Sequence, residues 1–270
     1  MSILLHVSDT HFGTELPAVV SALEALVRER HPDVLVFSGD MTQRARESQF
    51  AAARRMCDAF DIPNMLALPG NHDVPLLNVV ARLATPYSGY LKHFGPRLNP
   101  VLETDDFLVI GVNTTRASRH KDGEVSPQQI DEVAGKLKAA RPRQLRVVVT
   151  HQPAAVVREE DEPDRLHNAE AALQAWSAAG ADVVLGGHIH LPYVADLQQM
   201  TPSTPRPMWC VQAGTAVSSR IRHNTHNSVN LIHWLPAAAG APRVCQVERC
   251  DYKPSEGWFA TEVVNELALG

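Results

Sequence analysis

At 270 residues the chain is long enough to bury the core of a large α/β domain, and 44% hydrophobic with 20% charged residues is a globular composition. No apolar run approaches the roughly 18 to 20 residues that a membrane helix needs, so a membrane-spanning class is excluded. A formal net charge of -5 argues against an extended nucleic-acid partner and points to a small substrate.

Short apolar runs predict strands at 2–8, 33–38, 64–69, 107–112, 145–150 and 182–185. Helical spacing fills the gaps. Leu16, Val19, Val20, Leu23, Leu26 and Val27 make one stripe, and Phe50, Ala53, Met56, Cys57 and Phe60 a second. Ile130, Val133 and Leu137 make a third, and Ala169, Leu173 and Trp176 a fourth. The alternation through 1–190 is that of βαβ units, whose strands are covered by helices. After 191, Pro202, Pro205 and Pro207 mark a loop. Trp209–Gln212, Val229–Trp234 and Val244–Val247 then read as strands without long helices, an antiparallel addition to a single domain spanning 1–270. Glu159, Glu160, Asp161, Glu162 and Asp164 read as a solvated acidic loop, and Arg44, Arg46, Arg54 and Arg55 as the exposed face of the second helix.

Ligands of open α/β sheets bind beyond the carboxyl ends of the strands. There the sequence is uniform: Asp9-Thr10-His11, Asp40, Asn71-His72-Asp73, His151 and His188-Ile189-His190 each follow an apolar run. Asp9, His11, Asp40, Asn71, His151, His188 and His190 form an oxygen and nitrogen set without cysteine, which suits Mn, Fe or Zn, and seven ligands point to two ions. With two metals about 3.5 to 4 Å apart, a carboxylate such as Asp40 spans both and a bridging hydroxide attacks phosphorus. His72, turned away from Asn71 by backbone alternation, is expected as the general acid, with Asp73 as a carboxylate that orients a neighbouring imidazole, His72 itself being the candidate.

The ordered blocks Asp9-x-His11, Gly39-Asp40, Gly70-Asn71-His72-Asp73, His151 and Gly187-His188-Ile189-His190 resemble the calcineurin-like metallophosphoesterase superfamily over 9–190, and most of all its bacterial class III cyclic nucleotide phosphodiesterases. The resemblance implies a four-layer α/β/β/α sandwich, two facing mixed sheets with outer helices. It assigns Asp9, His11, Asp40 and His190 to one metal and Asp40, Asn71, His151 and His188 to the other, with His72 as the catalytic histidine. The implied activity is hydrolysis of a cyclic mononucleotide or similar small phosphodiester. A nuclease, a phosphomonoesterase or a glycerophosphodiesterase shares the same blocks, and a non-catalytic protein-binding scaffold shares the fold.

Asn113 ends the run Leu108–Val112 and Arg116 follows it, so both are candidate substrate contacts, as is His223 in the polar loop 218–227. Cys57, Cys210, Cys245 and Cys250 lack a C-x-x-C pair and read as reduced thiols, although a Cys245–Cys250 pair stays open. No export signal precedes Asp9, so a cytoplasmic location is expected. A homo-oligomer is compatible with the sequence.

Overall fold

Every predicted strand of the first 190 residues alternates between two apolar surroundings, and that alternation builds the layers. A computed structural model describes the chain except residues 77, 78, 120, 202, 223 and 237–240. The first sheet holds β1 (Ser2–Val7), β2 (Val34–Phe37) and β3 (Asn64–Ala67) in parallel. The second holds β4 (Val101–Glu103), β5 (Phe107–Gly111), β6 (Leu145–Val149), β7 (Val183–Gly186), β8 (Tyr193–Asp196) and β9 (Trp209–Gln212). The first is completed by β10 (Ser228–Trp234), β11 (Arg243–Lys253) and β12 (Trp258–Leu269), in the order β12-β11-β10-β1-β2-β3.

Leu4, Val34, Val36 and Leu66 face inward to Val109, Val147, Val149, Val183 and Leu185 of the other sheet. Their neighbours Leu5, Leu35 and Phe37 face outward, under α1 (Pro17–Arg30) and α2 (Glu47–Phe60). On the far side Ile110, Val148 and Val184 pack under α5 (Pro127–Lys138) and α6 (Ala169–Ala179), where Trp176 is fully buried. Two short helices, α3 (Val79–Ala84) and α4 (Ser88–Phe94), lie between β3 and β4, and α7 (Leu197–Met200) follows β8. The result is the four-layer sandwich of two mixed sheets with outer helices.

Residues 191–270 differ from the antiparallel addition expected. β9 runs parallel to β7, with β8 antiparallel at its edge, while β10 to β12 complete the other sheet. The chain through β8, α7 and the proline loop is long enough for the crossover that a parallel pair requires. β12 escapes a search for apolar runs because it is an edge strand whose residues are mostly exposed. The second helix begins at Glu47, so Arg44 and Arg46 precede it instead of lining its face, whereas Arg54 does pair with Asp58 on that face at 2.6 Å. The acidic stretch is a 3-10 turn, Glu159–Asp164, drawn onto the body by Arg222, which binds Asp161 at 2.7 Å. All four cysteines are free and buried. Among the described residues no helix is long and apolar enough to cross a membrane.

Candidate metal centre

β1 and β2 of one sheet and β6 and β7 of the other end at a common rim, and the polar blocks follow those ends directly. Asp9, His11, Asp40, His188 and His190 all adopt positive φ, between 40° and 73°. A residue with a Cβ pays about 1–3 kcal/mol for such a conformation, so the surrounding hydrogen bonds must hold it. They do: Asp9 N–H donates to the Gly39 carbonyl at 3.1 Å, and His11 N–H to that of Asp40 at 3.0 Å. Gly70 leaves room for this crowding, because a Cβ there would collide with the backbone nitrogen and carboxylate of Asp40.

The side chains converge as two groups that a third, His11, Asp40 and His72, links. Asp9, His11 and His190 form one, Asp40, His151 and His188 the other, and each group's ligating atoms lie within 4.8 Å of one another. His11 Nε2 and His190 Nε2 face each other at 3.0 Å, and Asp9 Oδ1 is 3.3 Å from His190 Nε2. In the second group His151 Nε2 lies 3.1 Å from Asn71 Oδ1 and 3.3 Å from Asp40 Oδ1. Asp40 Oδ2 lies 3.7 Å from His11 Nε2, so its two oxygens address one histidine of each group. Ligands ~2.0–2.2 Å from a transition ion stand roughly 3.0–3.5 Å from each other, which is the spacing seen here.

The outer nitrogens fix the rings. His151 Nδ1–H donates to the Ser38 carbonyl at 2.9 Å and His190 Nδ1–H to the Arg220 carbonyl at 2.5 Å, which turns each Nε2 lone pair into the centre. Acceptors then point at acceptors, and only a positive charge between them resolves the repulsion. A proton is one solution: burial lowers the His151 pKa, but the Asp40 carboxylate outweighs it and pushes the ring up to about 9. Burial likewise raises Asp9 and Asp40, yet His190 and His151 respectively hold their carboxyls below the usual range. His11 behaves oppositely, burial pulling it down to about 3 despite the two carboxylates. Asp9 Oδ1 and both ring nitrogens of His188 are buried without a hydrogen-bond partner among the described residues. Ions satisfy Asp9 Oδ1 and one ring nitrogen of His188, so the donor set of buried carboxylates and imidazoles fits two metal ions.

His72 flanks the first group, its ring edge-on to His11 with centroids 4.8 Å apart, and one of its nitrogens clusters with ligating atoms of His11 and Asp40. It is placed by a 3-10 turn, Asn71–Asp73, not by strand alternation, and its N–H donates to Asp40 Oδ1 at 2.8 Å. Asp73 does not orient it. The Asp73 carboxylate accepts from the N–H groups of Met41, Thr42 and Gly70 at 3.1, 2.8 and 2.9 Å, and from Thr42 Oγ1, tying the loop after β2 to the loop after β3. Burial and the Asp40 charge push its carboxyl up to about 6. The partner of His72 Nδ1 is instead the Gln43 carbonyl at 3.1 Å.

Asn113 and Arg116 are not brought to the centre. Asn113 Oδ1 accepts from Thr115 N–H and Oγ1, and Arg116 donates to the carbonyls of Asn113 and Thr115 and to Gln129 Oε1. Both are consumed in holding their own loop. His223 lies outside the described residues. Sequence reading missed Arg220, which lines the pocket beside Asn71 and His72 and donates to Gln43 Oε1 at 2.9 Å. It also missed Asp164, 3.7 Å from His188 Nε2 and paired with Lys121. Arg220 belongs to the same polar loop as His223 and was the stronger charge in it.

Three relatives and one family model bear on this geometry. Glycerophosphodiester phosphodiesterase GpdQ of Enterobacter lignolyticus (strain SCF1) is 26% identical over 223 residues, 75% of this chain and 76% of that protein. A purple acid phosphatase from yellow lupin (Lupinus luteus) seeds superposes with a TM-score of 0.71 at 12% identity, over 99% of this chain. This chain spans 53% of the lupin protein. A dimetal phosphatase from Danio rerio gives a TM-score of 0.62 at 12% identity, covering 100% of this chain and 99% of the other. The two structural likenesses speak for the fold. The family model of calcineurin-like phosphoesterases matches residues 3–192, the stretch that carries every block converging on the rim, and the chain therefore belongs to the calcineurin-like phosphoesterase family.

Proposed function

We propose that the chain is a phosphodiesterase that uses two transition ions, Mn, Fe or Zn, to hydrolyse a small phosphodiester. Asp9, His11, Asp40 and His190 would hold one ion and Asp40, Asn71, His151 and His188 the other, Asp40 belonging to both. Such a pair supplies, when bound, Lewis acidity toward a phosphoryl oxygen and an activated water. The observation that carries the reading is the setting of His72: its Nδ1–H donates to the Gln43 carbonyl, which leaves Nε2 free of that bond, and the residue lines a pocket of about 170 Å3 together with Asn71 and Arg220. A proton held at Nε2 is in place for the departing alkoxide oxygen. Arg220, fixed through Gln43, offers its remaining N–H groups to a phosphoryl oxygen.

The sequence resemblance favours a cyclic mononucleotide, and the relative's name favours a glycerophosphodiester. Both are diesters of a single phosphate, which suits a pocket of this size better than a nucleic-acid strand. A hydrolysis panel with Mn tests the proposal: a cyclic mononucleotide, a glycerophosphodiester, an aryl phosphodiester, an aryl phosphomonoester and a DNA oligonucleotide. The small diesters are expected to be cleaved fastest. A protein that carries two metals and cleaves no diester would sink the assignment.

A further inference from the structure

The pocket at His72 adjoins a second cavity. It shares Arg44 and Leu76 with this cavity of about 460 Å3, lined also by Arg46, Glu47, Pro75 and Lys92. A volume of that order lies in the range of small-molecule sites. Its charges are unequal. The Lys92 ammonium and His93 are paired with Glu47, and the Asp73 carboxylate is consumed by the loop donors described above. The guanidinium groups of Arg44 and Arg46 have no carboxylate in ion-pair range among the described residues. On a chain of net charge -5, two uncompensated cations stand at the wall of a cavity that shares Arg44 and Leu76 with the pocket at His72.

The segment carrying them is held in shape. Asp73 binds the N–H groups of Met41 and Thr42, Thr42 Oγ1 accepts from Ala45 N–H at 2.9 Å, and Gln49 Oε1 accepts from Arg44 N–H at 3.0 Å and Arg46 N–H at 3.4 Å. Ala45, between the arginines, sits at φ 51°. A preorganised loop presents charge without the ordering cost that a mobile one incurs on binding.

From this arrangement we infer that the 460 Å3 cavity is a subsite for one arm of the substrate, and that this arm carries an anionic group, a carboxylate or a second phosphate, met by Arg44 and Arg46. The inference rests on the phosphodiesterase reading and narrows it to diesters with a negatively charged arm. A matched pair of diesters isolates the charge: glycerophosphoserine and glycerophosphoethanolamine differ by one carboxylate. With the Mn-loaded full chain, kcat/KM is expected to favour the serine diester by about five- to tenfold, and the preference to shrink as salt rises. In Arg44→Gln/Arg46→Gln the ratio is expected to fall to about one, while Arg54→Gln, on the exposed face of α2, keeps the wild-type ratio. Calorimetric binding of O-phosphoserine against O-phosphoethanolamine makes the same comparison without turnover. Binding that favours the serine compound, and loses that preference in the double variant, supports the subsite even if neither diester is cleaved, an outcome that would count against the phosphodiesterase reading alone. A wild type indifferent to the carboxylate, or a double variant that keeps the preference, would overturn the inference.

Discussion

At the residue scale the centre is built from conflicts that cations settle, and in the proposed reading His72 is an imidazole beside it that the ions do not consume. His72→Ala is therefore expected to lower kcat on an alkyl diester by roughly 10²–10⁴, with less loss on a diester whose leaving group needs no protonation, and with metal content unchanged. Elemental analysis beside the kinetics checks this; a variant that loses its metal would recast His72 as a ligand. His72 reaches the rim with its block, but the Asp73 carboxylate does not turn toward it. Adjacency made Asp73 a plausible partner, yet a 3-10 turn sends its carboxylate to the backbone of the loop after β2, a contact no local pattern displays. His6 is a buried structural histidine. Burial pulls its pKa to about 3, and its Nε2 meets Ser38 Oγ at 2.8 Å. Below pH 6.5 the unfolded chain binds the proton and the folded chain does not, so this stability is present above 6.5 and is lost as the pH falls toward 3. The loss is roughly 2 kcal/mol by pH 5. Urea unfolding at both pH values is expected to show a shallower fall in His6→Gln than in the wild type; equal slopes would show that His6 does not drive it.

At the element scale, the strand ends were legible because each ligand block follows an apolar run, and the helices because their buried stripes recur at 3.6 residues. What stayed hidden depended on tertiary placement: the exposed edge strand β12, the parallel insertion of β9, and the work of the Asn113–Arg116 loop. That loop hangs on the start of α5. Ser126 caps the helix by accepting from Gln129 N–H at 3.2 Å, and Gln129 returns the bond to Ser126 N–H at 3.0 Å. The same amide also accepts from Arg116 and donates to the Asn113 carbonyl. Gln129→Ala thus removes a cap and a loop anchor together, and is expected to cost about 1–2 kcal/mol in denaturant unfolding. Arg116→Ala is expected to cost less, about 1 kcal/mol, and to change kcat/KM on a small diester by under about twofold. A large loss of kcat/KM at full stability would return Arg116 to the substrate site.

At the scale of the whole molecule, the proposed ligands divide between the two sheets. Asp9, His11, Asp40 and Asn71 follow strands of the first, and His151, His188 and His190 follow strands of the second. Both sheets already share an apolar core, so the fold does not require the ions to bring them together. The rim is different: two buried carboxylates and inward-facing imidazoles repel or desolvate one another unless cations lie between them. Ions that bind only the native chain stabilise it by about 2.7 kcal/mol per site at a hundredfold excess over Kd. For a chain of this size that corresponds to a rise in Tm of roughly 5–10 °C for one site. Chelator-treated protein is therefore expected to melt at least that much lower than protein with Mn, and added Mn to restore it. Asp40→Asn separates this linkage from general salt effects, because Asp40 faces one histidine of each group. The variant is expected to lose most of the Mn-dependent rise, and its metal-free form to be less stable than the metal-free wild type, since His151 loses the carboxylate it pairs with. If chelation strips the metal and leaves Tm unmoved, the rim is held by protons on its histidines, and His151, the ring pushed up to about 9, is the first to carry one.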